Sequence, residues 1–228
     1  MNEQKKIIAG MIDHALLTPQ LTDAELERGC HLADSFEVTT VCVKPYHVSA
    51  AGRLLHQSVV NVSTVIDFPH GNSLLETKMH QIERAIYDGA KEMDVVLNIG
   101  KICSHDWLYI ENEVKELIQM VHQTSLLIKC IFETGYLNSE EIVWCCKICN
   151  ANGADFVKTS TGFGFVRQPN GCMAATGATI PNLQLMLAHS TVSQVKASGG
   201  IRDWATAWRY YEMGIKRLGT SSTATILE

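Results

Sequence analysis

Three lysines stand in short apolar runs: Lys129 in LLIKCIF, Lys158 in ADFVKTST and Lys196 in SQVKASGG. Acids and amides keep them company. Asp67 closes NVSTVIDF, Asp94 lies inside EMDVVLNIG with Asn98 four residues on, and Glu133 follows Lys129. A charge inside an apolar strand is costly unless it is paired. One such residue would suit a structural ion pair. Three lysines and several acids on neighbouring strands point to a site. Two amines in one pocket repel each other's protons, and burial adds to the effect. A lysine beside a second cation is therefore a candidate for imine formation with a carbonyl. Spacing alone leaves an equal place for two snorkelling or salt-bridged lysines.

Glycines follow the same runs. Thr161-Gly162 comes just after Lys158, Gly199-Gly200 after Lys196, and Gly219-Thr220-Ser221-Ser222 closes the series. Glycine lets backbone N–H groups approach an anion, and serines add donors. One glycine pair is ordinarily just a turn. Three in successive loops suggest a phosphate site.

Those groups need strands to carry them. Eight short apolar or β-branched runs qualify: 11–17, 39–44, 61–68, 92–100, 126–134, 155–161, 193–200 and 216–222. Parallel strands buried on both faces read this way. Helix-period stretches lie between them. Thr22 with Glu25, and Ser73 with Glu76, have capping-box spacing; Asp106 is placed to open a helix and Gly153 to close one. Alternation of this kind implies right-handed βαβ units. An open doubly wound sheet usually has five or six strands, so eight favour an α/β fold of the closed (β/α)8 TIM-barrel type. No linker interrupts the series, so residues 1–228 are expected to form a single barrel domain. In such a barrel, strand ends and the following loops carry the chemistry. Period-2 alternation would turn Phe156 and Ser160 inward with Lys158, and Gln194 and Ser198 with Lys196.

Composition narrows the classes. The 228 residues are 46% hydrophobic and 19% charged, with net charge −5. Without a basic stripe, nucleic acid and anionic membranes are poor partners. No apolar run is long enough for a bilayer, and MNEQKKIIAGMIDH lacks a signal-peptide core. Eight cysteines in apolar segments suit reduced thiols and a cytoplasmic chain. Cys145, Cys146 and Cys149 share about a helical turn, but no second ligand pair follows at finger spacing, so helix packing is the expectation and no metal is expected.

The motifs IDHALLTP, VCVKP, VIDFPHG, GAKEMDVVLNIG, IKCIFETGYL, GADFVKTSTGFG, VKASGGIRD and GTSS resemble, in order and over nearly the whole chain, those of the deoxyribose-phosphate aldolases. That resemblance implies reversible cleavage of 2-deoxy-D-ribose 5-phosphate to acetaldehyde and D-glyceraldehyde 3-phosphate, with no cofactor, small phosphosugar and aldehyde partners, and often a homodimer. It implies Lys158 as the imine lysine, Lys196 as the lysine that depresses its pKa, and Asp94 in proton transfer. Asp13 and Lys129 would support them, and Gly162, Gly200, Gly219, Ser221 and Ser222 would hold the phosphate. Cys42 would lie near the mouth as packing. Rival readings are another imine-forming sugar-phosphate aldolase or transaldolase, and a non-catalytic phosphosugar-binding barrel. The chain departs from the family at Ala15, where threonine is usual, which puts one hydroxyl contact to the substrate in doubt. It departs again at Asp67, where glycine is usual and an added negative charge near the mouth is expected. Residues 164–182 make a longer loop, from which Arg167 would reach a phosphate or the loop would act as a lid; a solvated surface loop is the alternative.

Overall fold

The computed structural model describes residues 1–167 and 170–228. Eight parallel strands close into a barrel: β1 (Ile12–Leu16), β2 (Thr40–Val43), β3 (Asn61–Ile66), β4 (Glu92–Val96), β5 (Leu127–Ile131), β6 (Phe156–Lys158), β9 (Gln194–Ser198) and β10 (Arg217–Thr220). Each neighbours the next in this order, and β10 pairs back onto β1 through Ile12↔Leu218 and Asp13↔Gly219. All eight runs singled out in the sequence contain one of these strands.

Helices cover the outside: α2 (Asp23–Ser35), α3 (Val48–Leu54), α4 (Leu75–Tyr87), α5 (Ile99–Cys103), α6 (Trp107–His122), α7 (Ser139–Asn152), α8 (Ile180–His189), α9 (Trp204–Glu212) and α10 (Thr223–Leu227). Thr22 and Glu25 form the expected capping box of α2, Asp106 caps α6, and Gly153 ends α7 in the left-handed region at φ +77°. The Ser73–Glu76 box does not form. Helix α4 starts at Leu75, and Ser73 instead donates its N–H and hydroxyl to Asp67, at 2.8 and 2.7 Å. The carboxylate of Asp67 competes for the same serine and wins. Elements outside the expected series include α1 (Glu3–Ala9), the short α3 and α5, and an antiparallel hairpin of β7 (Phe165–Arg167) and β8 (Met173–Ala175) in the long loop after β6.

The strands divide the interior in two. Outward residues such as Val41, Val43, Met93, Val95, Ile128 and Leu218 join the helices in the main apolar core. Inward residues are of another kind: Asp13, Thr40, Ser63, Glu92, Asp94 and Lys129 are all buried. Side chains two apart on a strand share a face, so the charged residues gather on the axial face, where Val65, Val96 and Ile131 also point. The axis is thus the place where unusual chemistry is built.

His14 shows how the outer set ties the last helix down. It is 3% exposed, and its Nδ1 lies 2.8 Å from Thr223 Oγ1 at the start of α10. Burial lowers its pKa from the usual 6.5 to about 4. The unfolded chain therefore takes up this proton first as pH falls, so folding stability declines from pH 6.5 to about 4 and this contribution levels off below. The loss is roughly 3 kcal/mol at most. Urea unfolding of His14→Gln across that window is expected to give a flatter dependence than wild type; parallel curves would mean that another group causes the decline.

Candidate active site

Asp94, 0% exposed in the middle of β4, is the centre of the axial cluster. Its Oδ1 accepts from Lys129 at 2.8 Å, and its Oδ2 accepts from both Lys158 and Lys196 at 2.7 Å. Register sets this up: Asp94 pairs with Lys129 across β4–β5, and Lys158 with Lys196 across β6–β9. Asp13 holds the other side, accepting from Lys196, from Arg217 at 2.6 Å and from Thr40 Oγ1 at 2.8 Å.

The two neighbouring lysines are not equivalent. Burial pushes Lys158 below the usual lysine range and the Lys196 cation adds to the push; Asp94 opposes it without prevailing. Burial also lowers Lys196, but Asp13 and Asp94 together outweigh it and leave that amine raised. Lys129 is raised in the same way by Asp13, Asp94 and Glu92 against its burial. For Asp94, burial is outweighed by Lys129, Lys158 and Lys196, and the carboxyl lies well below its ordinary range. Lys158 is thus the amine that loses its proton most readily.

Above these groups a cavity of about 340 Å³ opens at the C-terminal ends of the strands. Lys158, Lys196 and Asp13 reach it, with Cys42 and Ala15 alongside. Gly162, Gly200, Gly219, Ser221 and Ser222 all line it, so the glycine–serine loops converge on one chamber. Gly162 and Gly200 sit at φ +85° and +83°. A Cβ on Gly219 would stand 2.7 Å from Ser198 Oγ and 3.3 Å from Lys196 Cε, so glycine here keeps room for the lysine. Asp94 and Lys129 are not in the wall; they lie beneath it and act through the lysines.

Several expectations need correcting. Asp67 sits at φ +50° with its charge taken by Ser73 and by Lys78 Nζ at 3.3 Å, and it does not line the cavity. Asn98 caps α5 through the N–H of Lys101 instead of entering the site. Glu133 does not join the lysine cluster; it accepts from the N–H and hydroxyl of Thr161. Arg167 lies on the exposed hairpin and is not in the cavity wall, and Gln168 and Pro169 of that loop fall outside the described residues. Arg202 is in the wall instead. It follows the glycine pair in VKASGGIRD, and its place two residues past Gly200 is the signal that could have found it. Sequence reasoning also misses Glu92 and Arg217. Each lies two residues before a residue singled out for the site, Asp94 and Gly219, and so on the same strand face.

The cysteines pack. Cys145, Cys146 and Cys149 are buried, and their thiols are all raised; burial leads for Cys145 and Cys146, and a hydrogen bond with Cys130 leads for Cys149. Cys42 is raised by burial first and by Asp94 next. Only Cys103 and Cys172 are exposed. A thiol reagent is expected to modify two cysteines quickly in the native protein and all eight in denaturant. Cys42 lines the upper cavity, so a third fast thiol other than Cys42 would mean that a helix opens off the barrel.

A closed parallel barrel with a buried amine of lowered pKa at its mouth has what imine formation with a carbonyl requires. The comparisons agree on the class. The model of the DeoC/LacD family aldolases matches residues 7–207. The deoxyribose-phosphate aldolase of Rhodopirellula baltica is 41% identical over 221 residues, 96% of this chain and 88% of the relative. That of Desulfitobacterium hafniense is 40% identical over 96% of this chain and 97% of its own. Among solved structures, an aldolase designated QR15 superposes with a TM-score of 0.87 at 37% identity, covering 100% of this chain and 95% of the other. The tetrameric deoxyribose phosphate aldolase of Aeropyrum pernix gives 0.87 at 25%, covering 98% and 90%. The chain belongs to the DeoC/LacD family of aldolases.

Proposed function

We propose that this lyase reversibly cleaves 2-deoxy-D-ribose 5-phosphate to acetaldehyde and D-glyceraldehyde 3-phosphate through an imine on Lys158, with residues 1–228 as one catalytic unit. One observation carries the reading: of two adjacent buried lysines, the one held by a single carboxylate oxygen, Lys158, is the one whose pKa is lowered, and it opens onto the cavity.

Neutral Lys158 Nζ attacks C1 of the open-chain sugar, and loss of water leaves the protonated imine. A base takes the proton of the C3 hydroxyl, the C2–C3 bond breaks, and its electron pair moves into the iminium to give the enamine. Glyceraldehyde 3-phosphate departs as the C3 aldehyde. Protonation at C2 and hydrolysis release acetaldehyde and restore the amine. The iminium accepts the electrons, so these steps draw on no cofactor. The Lys196 cation adds to burial in holding down the pKa of that amine. Asp94, bridging both lysines, serves the proton transfers, and Asp13 and Lys129 hold Asp94 and Lys196 in place. The N–H groups near Gly162, Gly200 and Gly219, the hydroxyls of Ser221 and Ser222, and the Arg202 guanidinium would take the phosphate.

The chain is further proposed to work in the cytoplasm as a homo-oligomer, a dimer by its resemblance to the family. Eight free cysteines suit a reducing compartment, and among the described residues no helix is long and apolar enough to cross a membrane.

Lys158→Ala is expected to abolish both cleavage and borohydride trapping of an acetaldehyde adduct. Substantial activity with trapping at Lys196 would reassign the nucleophile. The phosphate loops are tested separately. Ser221→Glu with Arg202→Glu is expected to raise KM for deoxyribose 5-phosphate at least tenfold more than KM for free deoxyribose, about 1.4 kcal/mol of selective binding. Equal effects would place the phosphate elsewhere.

A further inference from the structure

The ionised groups along the barrel axis close a ring. Asp94 contacts Lys129 at 2.8 Å, Lys129 contacts Glu92 at 2.6 Å, and Glu92 contacts Arg217 at 2.9 Å. Arg217 contacts Asp13 at 2.6 Å, Asp13 contacts Lys196, and Lys196 returns to Asp94 at 2.7 Å. Signs alternate round all six. Three carboxylates and three cations balance, so the ring is neutral by itself. Lys158 is attached to it from outside through its one contact with Asp94 at 2.7 Å. With Lys158 protonated, the cluster holds four cations against three carboxylates, an excess of one.

The ring's lower edge lies outside the wall of the upper cavity. Arg217 is the first residue of β10, and Glu92 is the first of β4. Arg217 lines a separate cavity at the N-terminal rim with Leu127, Phe156 and Gln194, the first residues of β5, β6 and β9. Its guanidinium also lies over the Phe156 ring, 5.1 Å from the centroid. Neither Arg217 nor Glu92 reaches the upper cavity.

We propose that Arg217 and Glu92 are positioning residues for the aldolase reaction: by completing the neutral ring at the barrel floor, they make Lys158 the surplus cation and so keep its amine free for the carbonyl. This rests on Lys158 being the imine lysine. The other groups near Lys158 do not supply the balance. Cys42, on β2, is held in its neutral thiol form by burial. Glu133, after β5, is raised by burial and bound to Thr161. Just after β3, Asp67 is committed to Lys78 and Ser73, and on β3 the inward residue Ser63 carries no charge.

The count gives opposite signs for the two residues. Arg217→Met leaves three carboxylates and three lysines, so Lys158 becomes necessary for neutrality. The acid limb of kcat/KM, which reports free-enzyme groups, is then expected to rise by about one pH unit, roughly a tenfold loss on that limb. Glu92→Gln leaves four cations and two carboxylates, and the limb is expected to fall by a similar amount. The double variant restores an excess of one and is expected to return the limb toward wild type. Arg217→Lys keeps the count and is expected to leave the limb in place. A purely structural role would lower the rate in both single variants without opposite displacement. Shifts of the same sign, or none, overturn the proposal. If Arg217→Met does not fold, a downward shift in Glu92→Gln that the double variant reverses supports the proposal, and an unshifted or unreversed limb overturns it. Borohydride trapping is run on every protein. Wild type that traps on Lys158, with variants that fail the sign test, overturns the ring proposal alone; wild type that does not trap there overturns the assignment of Lys158 as well.

Discussion

The structure turns on one carboxylate shared by three amines. Asp94 is fully buried, and an unpaired charge there would be prohibitively costly. Its two oxygens are taken by Lys129, Lys158 and Lys196. The arrangement needs a closed barrel, because β4, β5, β6 and β9 must all present inward residues to one axis at compatible heights. An open sheet of the same strands would leave one flank of this cluster to solvent and the pKa separation would shrink.

Neighbouring contacts hold that geometry from above and outside. Thr159 and Ser160 hydroxyls both donate to Ser198 O, tying the loop after Lys158 to the strand of Lys196. Glu133 fixes Thr161 at the turn into Gly162. A second buried ion pair lies on the helix side. Lys78 contacts Glu113 at 2.7 Å and donates to Val96 O and Gly71 O, while Glu113 accepts the N–H of Asn98. That pair pins the loops after β3 and β4, so the strand carrying Asp94 is clamped at its upper end. Gly177 touches the Gly199 backbone closely enough that a Cβ would come within 2.2 Å of the Gly199 carbonyl, which seats the long loop against the lysine strand.

Much of this is readable in the sequence, for physical reasons. Apolar runs with a period of two reveal strands, and a lysine inside one is rare enough to mark the axis. Lys129, Lys158, Lys196 and Asp94 stand out for that reason, and the three glycine-bearing loops fall at one mouth. Pairing is not readable. Asp67 ends a strand, which suggests the mouth, but its partners Ser73 and Lys78 come from the loop and helix that follow. Lys78 itself looks like an ordinary helix-surface lysine until the fold buries it. Arg217 and Glu92 begin their strands, where a charge usually meets water, and only closure of the barrel turns them toward each other. The β7–β8 hairpin has no alternation signal strong enough to separate it from a loop.

Stability cannot be the reason for this interior. Barrel axes are ordinarily filled with layers of branched aliphatic side chains. Buried ion pairs are often no better than apolar residues of the same volume, and sometimes worse. Here the outward strand faces and the helices supply the apolar core, with Val41, Val95, Leu117, Ile142 and Leu218 out of water. The axis is therefore released from carrying the hydrophobic load. It is filled with groups whose mutual cost is tolerable only because they neutralise one another. One amine, Lys158, is left over from that neutralisation. An apolar axis would hold the barrel together as well or better, but it would leave no amine at the mouth poised to lose its proton.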